Sequence, residues 1–129
     1  MTDVEINVDF APSKLKAFSK NEMQMNISLK NSGANIYWGE CEVVVSSPLS
    51  LAHDTDLNSG RTRMGLLKPL SSLSKPVRLY TRPNNYPDNY KFSIVAYIYD
   101  GDGAISQRIE KKMEIACVSE ESTKAVQDK

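Results

Sequence analysis

His53, Asp54 and Asp56 bring an imidazole within three positions of two carboxylates, a combination that can ligate a metal or pass a proton. This is the only histidine, and no serine or cysteine is placed beside it as a nucleophile, so these residues read as solvated loop groups. Asp100, Asp102 and Gly103 start like a calcium loop. Ile105 and Lys111 then stand where the glycine and the bidentate acid of such a loop are needed, which leaves a plain turn. Cys41 and Cys117 belong to no CxxC pair, and a zinc site built on them would find only His53 as a third ligand. Their spacing permits a disulfide without implying one, and the simpler expectation is two small buried thiols of a reducing compartment. The six glycines are scattered through turns, with no phosphate-cradling loop. An enzyme, a cofactor and a metal are therefore not expected.

Charge is the most unusual feature. The chain has 129 residues, with 16 Lys and Arg balancing 16 Asp and Glu, so whole-molecule electrostatics do not point to nucleic acid or a membrane surface. Between positions 61 and 82, however, stand Arg61, Arg63, Lys68, Lys75, Arg78 and Arg82 with no acidic residue. If Arg61, Arg63 and Arg78 share one sheet face, their guanidiniums suit carboxylates or phosphates through paired donors. The simpler alternative is a solvated outer face balanced by Glu40, Glu42 or Glu114.

The elements that must carry these residues are strands. Val4, Ile6, Val8 and Phe10 alternate with polar residues, as do Met23, Met25, Ile27 and Leu29, the period of two that buries one strand face. A short Leu15–Phe18 piece lies between them. A third strand is expected over Tyr37–Ser46. The segment 47–60 reads as a long connection between two sheets, and short strands follow at Met64–Leu67 and Val77–Thr81, separated by Pro69 and a serine-rich stretch. Tyr90–Tyr99 is apolar on both faces, as for a strand central in its sheet. Asp100-Gly101-Asp102-Gly103 predicts a hairpin joining it to a last strand that runs to Cys117. Tyr37, Trp38, Tyr97 and Tyr99 gather on one sheet, either filling the core or marking a docking surface, with core the simpler expectation.

About seven strands and no helix predict an all-β, immunoglobulin-like antiparallel β-sandwich over residues 1–118, with 119–129 a polar, disordered tail. The longest apolar run, Ile94–Tyr99, is far short of a membrane-spanning helix, and Met1–Glu5 lacks the layout of a signal peptide. No membrane association and a cytoplasmic setting are expected.

Three segments resemble the CARDB and NEW3-like immunoglobulin-like modules: Ile27–Gly33 as their second strand ending in asparagine and glycine, Met64–Ser72 as their G-x-L-x-P segment, and Asp88–Ile94 as the tyrosine entering the sixth strand. In the second, serines stand where a glycine usually follows the proline; in the third, Asp88-Asn89 replaces Pro-Gly. The resemblance implies the fold and an adhesion, spacer or docking role with no shared activity, and it carries no site residue across. The function expected is a non-enzymatic protein–protein docking module, with a protein partner or a homodimer through edge strands. The alternative is nucleic-acid or polyanion binding through segment 61–82, for which stacking aromatics are few beyond Tyr80 and Tyr86.

Overall fold

The computed structural model describes residues 3–83 and 85–119. Its strands are β1 (Val4–Ala11), β2 (Lys14–Lys16), β3 (Asn21–Asn31), β4 (Tyr37–Val45), β5 (Leu49–Ser50), β6 (Ser59–Leu67), β7 (Ser71–Thr81), β8 (Asp88–Tyr99) and β9 (Ile105–Val118). They form two sheets, ordered β1-β3-β7-β5 and β2-β9-β8-β4-β6.

Alternation decides which side chains go inside. On β3, Met23, Met25, Ile27 and Leu29 are fully buried, while Gln24 and Asn26 between them, and Glu22 before them, are exposed. The second sheet answers with Cys41, Val43 and Val45 from β4 and Phe92, Ile94, Ala96 and Ile98 from β8, closing one core between the sheets. Each of the larger side chains stabilises the fold by roughly 1.5–3 kcal/mol through burial. The central position expected for Tyr90–Tyr99 holds: β8 pairs with β9 on one side and β4 on the other.

The all-β class holds, with nine strands among the described residues rather than about seven. The additional ones, β2 and β5, are three and two residues long, too short for a period of two to show. The segment 47–60 does not carry the chain from one sheet to the other: β4 and β6, which flank it, are neighbours in the same sheet. Only the two residues of β5 within it visit the opposite sheet to pair with β7, because β6 begins at Ser59 and pairs back on β4. Strand β7 runs further back than expected, taking in the serine-rich stretch, because it pairs with β3 at eleven positions and Ser28 and Ser74 share a 2.8 Å hydroxyl contact. Pro76 sits within it, where the other side of β7 has no neighbouring strand, the place in a sheet that tolerates a missing N–H. Of the expected tail, all but Ser119 lies outside the described residues.

Candidate functional site

Four strands of the larger sheet set their outward side chains in register. Leu66 on β6 stands opposite Trp38 on β4, Trp38 opposite Tyr99 on β8, and Tyr99 opposite Ile105 on β9. At about 4.8 Å between strands, this apolar row is roughly 14 Å wide. Leu66 is 49% exposed, Trp38 38% and Ile105 58%, while Tyr99 is half-buried. Ile36 and Leu70, both exposed, lie on loops at the same end of the sheet. Core filling therefore holds for Tyr37 alone of the four aromatics. Trp38, Tyr97 and Tyr99 have the opposite parity on their strands and face outward.

Behind the apolar row the face is charged. The next row is Arg63, Glu40, Tyr97 and Arg108, and the one after it Arg61, Glu42, Val95 and Glu110. Tyr97 is its centre: the Arg61 guanidinium lies 4.6 Å from the ring centroid, Arg108 lies 6.0 Å away, and the phenol donates to Glu42 Oε1 at 3.4 Å. Arg61 also reaches Glu40 at 3.7 Å. Further along, a concavity of about 490 Å3 opens on the same face between Val44, Ser93, Lys112 and Glu114.

The basic segment does not form one surface. Arg61 and Arg63 belong to the five-stranded sheet, whereas Arg78 lies on β7 of the four-stranded one, where it reaches Glu22 at 3.1 Å. A shared face for the three is thus corrected: β6 and β7 are consecutive in sequence but belong to different sheets. Arg82 pairs with Asp56 at 3.8 Å and donates to the Asp54 carbonyl at 3.2 Å. Lys68 follows the end of β6, and Lys75 is exposed on the free side of β7.

The residues with catalytic or metal-binding types make the following contacts. His53 is exposed and meets Tyr80 edge-on at 6.0 Å between centroids. The nearby Ser50 hydroxyl is buried, donates to the Thr55 carbonyl and accepts from the N–H groups of Ala52 and Leu57, closing the loop. Asp100 Oδ1 accepts from the N–H groups of Asp102 and Ala104, which builds the hairpin turn. No group of three or more His, Cys, Asp or Glu able to hold a metal occurs among the described residues.

Cys41 and Cys117 are free and buried, and burial pushes the Cys41 thiol up to about 12. Cys41 pairs with Ala96, which pairs with Ile109; Cys117 is eight residues further along β9, roughly 27 Å and beyond disulfide reach. Among the described residues no helix is long and apolar enough to cross a membrane.

No family model and no curated protein matches this chain. Solved structures do resemble it. BslA, a bacterial hydrophobin, is 9% identical over 92% of this chain and 95% of its own, with a TM-score of 0.57. A FixG-related protein from Vibrio parahaemolyticus is 13% identical over 91% and 98%, with a TM-score of 0.51. AvmM, which catalyses macrocyclization in alchivemycin A biosynthesis, is 12% identical over 87% and 88%, also at 0.51. At such identities the likeness is one of fold, and the differing roles of these proteins show that the fold does not choose among them.

Of the apolar row, Trp38 and Tyr99 are among the aromatics expected to gather on one sheet, whereas Leu66 and Ile105 beside them are not foreseen. The row's members come from four strands, and what aligns them is the register, which the period of two leaves open. Trp38 and Tyr99 stand at the outward parity of β4 and β8, but Leu66 shares the parity of buried Met64 and Ile105 that of core-packed Ile109, and each joins the row only past a break in register.

Proposed function

We propose that this chain is a non-enzymatic docking module of the immunoglobulin-like class that binds protein through the outer face of its five-stranded sheet. The class reading is supported by strand order, since β1-β3-β7 and β9-β8-β4 correspond to the A-B-E and G-F-C strands of that sandwich. It is supported also by Tyr90, near the start of β8, whose hydroxyl donates to the backbone carbonyl of Tyr86, the arrangement of a tyrosine corner. The excursion of β5 to the opposite sheet before β6 departs from that plan. Two free buried thiols suit the reducing conditions of a cytoplasmic setting.

The observation that carries the docking reading is the row Leu66–Trp38–Tyr99–Ile105. Aromatic and aliphatic side chains set side by side, rimmed by arginine and glutamate, make the composition of a protein interface centre with a polar border. Polyanion binding has less support, because the six basic residues are divided between two sheets and three of them, Arg61, Arg78 and Arg82, are ion-paired.

A photo-crosslinking residue at position 105, compared with one at position 74 on the other sheet, tests the reading. Protein adducts from 105 and not from 74 are expected. Equal labelling at both, or nucleic-acid adducts dispersed by salt, would overturn it.

A further inference from the structure

We infer that the partner seated on this face is a second copy of the same chain. This inference rests on the docking reading above and names its occupant.

Self-association needs a surface that matches itself under a two-fold axis. An axis parallel to the strands and midway between β4 and β8 exchanges β4 with β8 and β6 with β9 while keeping each row at its own height. Leu66 then meets Ile105 of the partner subunit, and Trp38 meets Tyr99 of the partner subunit, so the apolar row covers itself along its whole length. Two rows further on, Arg61 faces Glu110 of the partner subunit, a complementary pair made twice. In the row between, Arg63 faces Arg108 of the partner subunit; each has an acidic neighbour on its own sheet, Glu40 beside Arg63 and Glu110 at 4.0 Å from Arg108. The chain has no net charge, so two copies approach without long-range repulsion.

The sheet edges fit this role less well, which separates the inference from a dimer made by strand addition. The free side of β7 carries Lys75 and Pro76. Along β9 stand Arg108, Glu110, Lys111 and Lys112, and β1 presents Glu5, Asn7 and Asp9. On β6, Gly65 at φ +114 accompanies a break in register with β4. Charges, a proline and an irregular strand are the devices that keep edges from pairing.

Sedimentation of the full chain between about 1 µM and about 1 mM tests the inference, with emission of Trp38, the only tryptophan, as a second readout. A rise in average mass towards twice the monomer is expected, with a parallel blue shift as Trp38 is covered. Arg61→Glu should weaken the dimer by roughly tenfold, and adding Glu110→Arg should restore it, since each single change sets like charges together and the double change exchanges them. Trp38→Arg should remain monomeric with an unchanged β-sheet spectrum, and Arg78→Glu on the other sheet should dimerise normally. A wild-type chain that stays monomeric throughout overturns the second copy; if position 105 still yields protein adducts, the docking reading stands, and if it yields none both fall. A dimer that survives Trp38→Arg and is indifferent to the Arg61 and Glu110 changes overturns the assignment to this face.

Discussion

The side-chain amide of Asn85, wholly buried, donates to the Lys16 carbonyl at 2.9 Å and so ties the loop before β8 to the end of β2. Asn85 Oδ1 accepts from the Ser19 N–H at 3.2 Å, and its backbone carbonyl accepts from the Phe18 N–H at 2.8 Å. The side chain thus satisfies backbone groups that have no strand partner, in a segment where Phe18 is held at φ 60. Asn85→Ala leaves the Ser19 N–H without its acceptor and is expected to cost about 2 kcal/mol. A denaturant midpoint unchanged from wild type would contradict this role.

Tyr90 makes a smaller contribution of the same kind. Its hydroxyl bond to the Tyr86 carbonyl anchors the loop that leads into β8. Tyr90→Phe keeps the ring, half-buried at the core margin, and loses only that bond, so a loss of about 1 kcal/mol is expected from chemical unfolding. A loss as large as that of a core truncation would show that the ring, and not the bond, is what matters.

Cys41 makes stability depend on pH at the alkaline end. Burial raises its thiol from 9.0 to about 12, so the folded state holds a proton that the unfolded state releases between those values. The contribution is complete below pH 9 and declines as pH rises towards 12, at about 1.4 kcal/mol per unit. Cys41→Ala should show a correspondingly shallower decline over the same range, measured by urea unfolding at each pH. Parallel pH profiles for the two proteins would refute it.

Gly33 leaves room for Asp3. A Cβ there would lie 2.1 Å from Asp3 Oδ2, the oxygen that accepts from the Tyr37 hydroxyl at 3.0 Å, while Oδ1 accepts from Gln107 at 2.9 Å. The Gln107 bond foremost, with Tyr37 adding to it, holds the Asp3 carboxyl below its ordinary 3.8. The stability this gives is present above pH 3.8 and is lost as pH falls through the lowered value. Gly33→Ala should destabilise by about 1 kcal/mol at neutral pH, and the penalty should shrink as acidification protonates Asp3. A penalty that does not change as pH is lowered would place the effect elsewhere.

Much of the fold is legible in the residues themselves. Met23 to Leu29 alternate so regularly that no other element accommodates them, and Asp100–Gly103 can only turn the chain between two strands. Strands β2 and β5 were not legible as strands, because two or three residues become a strand only when a neighbour such as β9 or β7 supplies their hydrogen bonds. The candidate site was legible only as ingredients. Arg61, Tyr97 and Trp38 each stand out by type, but their proximity depends on which strands lie side by side.

Alternation by itself determined which side chains of each strand lie together, and hence an all-β chain with one apolar set to bury, because side chains on a strand can project only to one face or the other. Only the tertiary structure decided that Arg61 and Arg78 lie on different sheets, and that Leu66, Trp38, Tyr99 and Ile105 form one exposed row. Register and strand order are set by the packing of the whole core, and no local stretch of sequence contains that information.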